Sequence, residues 1–283
     1  MRILDAHVHY NGHIDRAEPF VSAWKAGGVE KAVVFGLTRG DGWFPSLAEV
    51  AQLAHKFPDF VVPFGYITPG HNDGLGQARE AIARGFKGLK FIFASKPYDD
   101  DEFFPIYEAA AAAGMACLFH TGIVIDGTRP SEHQGDYQRN WRISSNFTRP
   151  VHLDRIARAF PRMPIIGAHI GGGAWYEEAC HVMRWNPNVY FDMSIGQMHY
   201  VRKNTPPGED ARAIKPRFQE MYETDGLDLT RILFGSDHVI GSESPDPTWS
   251  LATLQFELDA LGATDAEKEA VRWSTAARLL GIQ

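Results

Sequence analysis

The first chemistry-bearing pattern in the chain is His7-Val8-His9, two imidazoles separated by a single residue. Three more groups of the same kind close apolar runs: His120 ends the run MACLF, His169 ends IIGA, and Asp237 follows ILFGS. Imidazole nitrogens and carboxylate oxygens are the usual donors to a borderline divalent cation. If these runs are strands, side chains alternate between faces, so His7 and His9 share the inner face while Ala6 and Val8 turn toward helices. A lone HxH arises equally on a wetted strand face, and a single histidine at a strand end is usually a satisfied core residue. Four histidines and a carboxylate at one rim are different, because without an ion they form an uncompensated polar cluster. The set therefore points to metal binding.

The elements that must position these groups alternate along the chain. Strand candidates rich in β-branched and apolar residues fall at 3–9, 31–37, 61–67, 87–93, 115–120, 165–169, 189–192 and 232–235. Helical spacing appears at 45–57, 74–84, 101–113, 152–160 and 175–185. Such alternation implies parallel strands joined by right-handed crossovers, and eight units predict a (β/α)8 TIM barrel, one α/β domain over residues 1–283. An open doubly wound sheet is the competing architecture. It would place a glycine-rich turn after the first strand, where this chain has HVHYNG. Barrel enzymes draw their functional groups from the carboxyl ends of different strands, which is where all five candidates lie. Long connections at 122–150, 194–212 and 238–248 follow strands 5, 7 and 8 and are expected to form lids or binding loops on that face.

Composition narrows the partner. A formal charge of -7 disfavours phosphate backbones and anionic lipid surfaces, so no nucleic acid or membrane partner is expected. No apolar run reaches the roughly 18 to 20 residues that cross a bilayer. Met1-Arg2 leads straight into the first strand pattern, so a cytoplasmic location is expected. Cys117 and Cys180 show no CxxC spacing and read as buried thiols. Exposed helices of such barrels often pair, which makes a homodimer the expected assembly.

Groups that would grip a substrate are scattered around the same rim. Lys90 faces inward if Leu89 and Phe91 face the helices. The segment after strand 5 carries Arg129, Arg139, Trp141, Arg142 and Arg149, a composition suited to an anionic or aromatic acid. Trp175 and His199 complete the substrate-binding candidates, although surface arginines and aromatics would look the same. Gly171-Gly172-Gly173 lacks the lysine and hydroxyl of a phosphate loop and suits close backbone approach instead.

Taken together, Asp5-Ala6-His7-Val8-His9, Arg149-Pro150, the run from Gly167 to Gly173, Leu233-Phe234-Gly235-Ser236-Asp237 and the closing Ala276-Ala277-Arg278-Leu279-Leu280-Gly281 resemble the amidohydrolase superfamily. The resemblance runs nearly end to end, and it is to the amidohydrolase-related branch that includes metal-dependent decarboxylases, hydratases and small-acid hydrolases. It implies that His7, His9, His120 and Asp237 hold one divalent ion, zinc, while His169 acts beside it on water or substrate. Lys90 stands where some relatives carry a carboxylated lysine bridging two metals; single-metal relatives use nearby cations to bind a substrate carboxylate, and one metal is expected here. The activity implied is hydrolysis of a small carbonyl substrate, an amide or lactone of a carboxylic acid, with His169 or Asp237 moving the proton. Nonoxidative decarboxylation of a small unsaturated or aromatic acid would use the same ligands. A noncatalytic metal-binding barrel is the third reading, and it would need neither His169 nor long rim loops. The segment between strands 5 and 6 departs from the family pattern, which leaves the substrate open.

Overall fold

Strand β1 (Ile3–Tyr10) is buried along its whole length, as a strand covered on both faces must be. The computed structural model describes residues 2–37, 45–71, 73–124, 144–172, 174–194, 227–241 and 247–283, apart from the side chains of residues 248, 249, 253, 256, 257 and 260. After β1 come β2 (Val29–Gly36), β3 (Val61–Ile67), β4 (Gly88–Phe91), β5 (Ala116–Phe119), β6 (Ile165–Gly167) and β7 (Val189–Asp192). The last pieces are β8 (Ile232–Leu233) and β9 (His238–Ile240). Every pairing is parallel, in the order β8-β7-β6-β5-β4-β3-β2-β1-β9.

The two ends of that order are adjacent in sequence, and this closes the barrel. β8 pairs with β7 and β9 with β1. Between them Ala6 N–H donates to the Phe234 carbonyl and Asp237 N–H to the His7 carbonyl, both at 2.8 Å. The eighth strand is thus two short pieces rather than the single 232–235 run that composition predicts. It breaks where the backbone crosses His7: a Cβ on Gly235 would lie 2.9 Å from His7 Cβ, and Asp237 takes a left-handed φ of 58°. The connection expected to begin at 238 accordingly starts after β9.

Helices α2 (Leu47–Lys56), α3 (Gly74–Ala83), α4 (Phe104–Ala112), α5 (His152–Ala159) and α6 (Tyr176–Trp185) occupy the expected intervals. An earlier helix, Ala17–Ala26, joins β1 to β2 and buries Ala17, Phe20, Val21 and Trp24, a spacing of three and four that puts them on one stripe. Starts are set locally. Ser46 and Glu49 form a reciprocal capping box at α2, and the Asp73 carboxylate accepts from Gly76 N–H at 2.8 Å before α3.

Two apolar layers result. Val8, Val34, Leu89, Phe91 and Cys117 pack outward against helix residues such as Phe20, Leu53 and Ile106. Leu4, Val33, Phe35, Phe64, Leu118, Ile166 and Leu233 fill the interior, and Trp273 and Leu280 plug its amino-terminal end. Ala6 belongs to this interior layer and does not turn toward the helices as simple alternation predicts. The pairing of β1 with β2 shifts register between Asp5 and Val8, and such a bulge lets Ala6 and His7 both face inward. Of the three long connections, residues 125–143, 195–226 and 242–246 lie outside the described residues, and with them Arg129, Arg139, Trp141, Arg142 and His199. No helix among the described residues is long and apolar enough to cross a membrane.

Candidate active site

β1 delivers His7 and His9 to the interior, and their Nε2 atoms converge on one carboxylate oxygen. Asp237 Oδ1 lies 3.2 Å from His7 Nε2 and 2.9 Å from His9 Nε2. The opposite ring nitrogens face acceptors: His7 Nδ1 donates to Asp192 Oδ2 at 2.8 Å, and His9 Nδ1 stands 3.5 Å from the Gly36 carbonyl. An acceptor on Nδ1 leaves the Nε2 lone pair free to ligate.

Ligands about 2.1 Å from a cation sit roughly 3.0 to 3.4 Å from one another, so the spacing of His7, His9 and Asp237 fits a divalent ion. The donor atoms of these three residues all lie within 4.8 Å. His120, just past β5, falls outside that group: its Nδ1 lies 3.2 Å from His169 Nε2, and its buried Nε2 has no hydrogen-bond partner among the described residues. An orphaned, buried imidazole nitrogen is a donor suited to a cation.

His169 is held in a strained turn after β6. It takes φ 62°, and the β-branched Ile170 that follows takes φ 42°, conformations that persist only where surroundings dictate them. Here His169 N–H donates to Asp192 Oδ1 at 2.9 Å, and Gly171 N–H donates to Thr121 Oγ1 at 3.1 Å. The ring lies 5.0 Å from His7 and 4.8 Å from His120 between centroids.

Lys90 points inward, as its position between Leu89 and Phe91 predicts. It is fully buried, with Nζ 3.4 Å from His7 Nε2 and 5.0 Å above the Phe35 ring. Arg149 and Trp175 come together with each other instead: the guanidinium sits 5.7 Å from the indole and is bound through Nε and Nη2 to Glu178. Those bonds commit it to the start of α6.

Three supporting groups lie outside the expected ligand set. Asp192 ends β7 as His120 ends β5, so strand-end placement marks it too; it is fully buried. Ser194 donates to Asp192 Oδ1 and lies 2.8 Å from His169 Nδ1. Asp5 accepts from the backbone N–H groups of His7 and Ser236 at 3.1 and 3.0 Å, tying β1 to the eighth strand.

Burial and charge pull against each other at these groups: burial and Lys90 would lower His7, but Asp192 and Asp237 raise it. Burial alone would raise Asp192 and Asp237, but His7 beside both, with His169 near the first and His9 near the second, holds each below the usual carboxylate range. Burial lowers His9, drops His120 well below the usual imidazole range and brings His169 to about 4. Burial also brings Lys90 down to about 7 and pushes Asp5 up to about 7. The Lys90 shift has a measurable sign. Between about 7 and its ordinary 10.5 the unfolded chain binds more protons than the folded one, so stability rises with pH across that window. In chelator-treated protein, denaturant unfolding is expected to show wild type gaining on the order of 1 kcal/mol per pH unit there relative to Lys90→Met. Parallel curves for the two proteins would contradict the assigned burial.

A family model described as amidohydrolase matches residues 5–282. Among solved structures, the uncharacterized TIM-barrel protein Bb4693 from Bordetella bronchiseptica is 18% identical, with 99% of each chain covered and a TM-score of 0.67. A probable 2-pyrone-4,6-dicarboxylic acid hydrolase from Acinetobacter baumannii, with citric acid bound, is 11% identical over all of both chains, with a TM-score of 0.61. The 5-carboxyvanillate decarboxylase from Novosphingobium aromaticivorans, complexed with manganese and 4-hydroxy-3-methoxy-5-nitrobenzoic acid, is 15% identical over 99% of this chain and 96% of that one, also at 0.61. No curated protein matches the chain.

Proposed function

Because the chain belongs to the amidohydrolase family, we propose that it is a metal-dependent hydrolase of a small carbonyl substrate, an amide or lactone of a carboxylic acid. His7, His9, Asp237 and His120 would hold a single divalent cation, zinc by their donor chemistry. When bound, that ion supplies Lewis acidity toward a carbonyl oxygen and acidifies water at the site.

The rest falls to the chain's own groups. The observation that carries the hydrolytic reading is the placement of two proton acceptors at one wall, Asp237 Oδ1 between the β1 imidazoles and His169 Nε2 facing His120; burial favours neutral His169, and the neighbouring histidines favour ionised Asp237. Both can take a proton from water and return it to a leaving amine or alkoxide. A nearby cation would lower both further, so the sign of this argument survives metal loading. Lys90, buried at the same wall, would pair with a carboxylate on the substrate.

Lys90 also favours the second reading. Nonoxidative decarboxylation, the activity named for the Novosphingobium relative in fold, needs a counter-charge for the departing carboxylate and a proton for carbon, and a buried amine titrating near 7 would offer both. Turnover of a panel of small lactones, amides and unsaturated or aromatic acids in 18O-labelled water distinguishes the two. Label in a carboxylate product with all carbons retained is the expected result. Carbon dioxide release without label would replace hydrolysis by decarboxylation.

A further inference from the structure

Asp192 accepts four hydrogen bonds, one on Oδ2 and three on Oδ1, and each has a definite sense. Oδ2 accepts from His7 Nδ1 at 2.8 Å. Oδ1 accepts from the backbone N–H of His169 at 2.9 Å and of Ser194 at 3.0 Å, and from Ser194 Oγ. A carboxylate has nothing to donate, so the proton between Ser194 Oγ and Asp192 Oδ1 belongs to the serine. With its one hydrogen committed, Ser194 Oγ can only accept from the ring nitrogen 2.8 Å away, His169 Nδ1. Its 3.4 Å approach to His7 Nδ1 is secondary, since that proton points at the nearer Oδ2.

We propose that Asp192 and Ser194 are a positioning pair that fixes the tautomers of two histidines from one buried carboxylate, His7 directly and His169 through the serine hydroxyl. Both rings then carry hydrogen on Nδ1 and a lone pair on Nε2. His7 Nε2 faces the Asp237 and Lys90 side of the cluster, and His169 Nε2 faces His120. The pair also anchors the strained backbone of His169 through its N–H. This inference rests on the proposed function for its consequence in turnover, but its geometry stands apart from which reaction is run. Asp192 engages His7 on Nδ1, the nitrogen away from Asp237, and Ser194 engages His169 on Nδ1, the nitrogen away from His120, so each acts through a histidine.

Nitrogen-15 spectra of the histidine rings in the chelator-treated chain, collected at alkaline pH where the imidazoles are neutral, test the pair, with signals assigned by single-histidine variants. The expected wild-type result is an Nδ1–H tautomer for both His7 and His169. Ser194→Ala removes only the hydroxyl link, so His169 should become a mixture of tautomers while His7 keeps Nδ1–H. Asp192→Asn should do the reverse: its oxygen still accepts from Ser194, but its amide hydrogens oppose His7 Nδ1 and drive that ring to Nε2–H, weakening metal binding about 10- to 100-fold. A His169 ring unchanged in Ser194→Ala, or a His7 ring unchanged in Asp192→Asn, would overturn the proposal while leaving the hydrolytic reading untouched. Conversely, correct tautomers in a protein that turns over no carbonyl substrate would sink the reaction and leave the pair standing. The ring spectra also separate this role from a structural one, since general loosening would alter both rings in both variants.

Discussion

Asp237→Asn is expected to lower turnover by about three orders of magnitude or more and to lower metal content at the same time. Asp237 Oδ1 lies within 3.2 Å of both β1 imidazoles, and an amide there keeps the shape while removing the charge that two ring nitrogens and a cation would share. It also removes one of the two groups able to accept a proton. Elemental analysis of gently purified protein beside steady-state kinetics checks both halves. Full metal occupancy with near-normal turnover in the variant would remove Asp237 from the site.

The second large effect separates two neighbouring histidines. His120→Ala should lose most of the ion and with it all measurable turnover, because its unpartnered, buried Nε2 is the free donor of the pair. His169→Ala should keep the ion and lose turnover by about 10²- to 10⁴-fold, the usual cost of a missing proton-transfer group. His169 Nδ1 is engaged by Ser194 and its Nε2 faces His120 rather than the Asp237 oxygen, which is why the two variants should part. Equal metal loss in both would show that His169 is a ligand in its own right.

Much of this architecture can be read from residue order, and the exceptions have physical causes. Period-two alternation placed Lys90 inside the barrel from its neighbours alone, because β4 is regular. The same rule mistook Ala6, since the register shift in β1 is a backbone event with no residue signature. The eighth strand looked continuous at 232–235 because its composition is strand-like, while the break is imposed by crossing His7, a contact between residues far apart in sequence. His7, His9, His120, His169 and Asp237 were visible because ligand chemistry restricts residue type. Asp192 obeys the same strand-end rule, but it closes a four-residue strand with no second ligand-type residue beside it in sequence. Ser194 could not have been found that way: a serine after a strand announces nothing until the carboxylate two residues before it is seen to bind the same imidazole.

Arg149, of a residue type suited to anions, spends Nε and Nη2 on Glu178. Its bonds to Glu178 bind the approach to α5 to the first turn of α6, a task that composition cannot tell from substrate capture.

The divided eighth strand carries a last implication. His7 and His9 come from the opening strand and Asp237 from the stretch that seals the cylinder, so a cation shared among them would work as a clasp fastening the first strand of the cylinder to the last. At a thousand times its dissociation constant such a clasp would be worth about 4 kcal/mol against unfolding. Folding would then gate chemistry, because the coordination sphere cannot assemble until the final turn of the cylinder has docked.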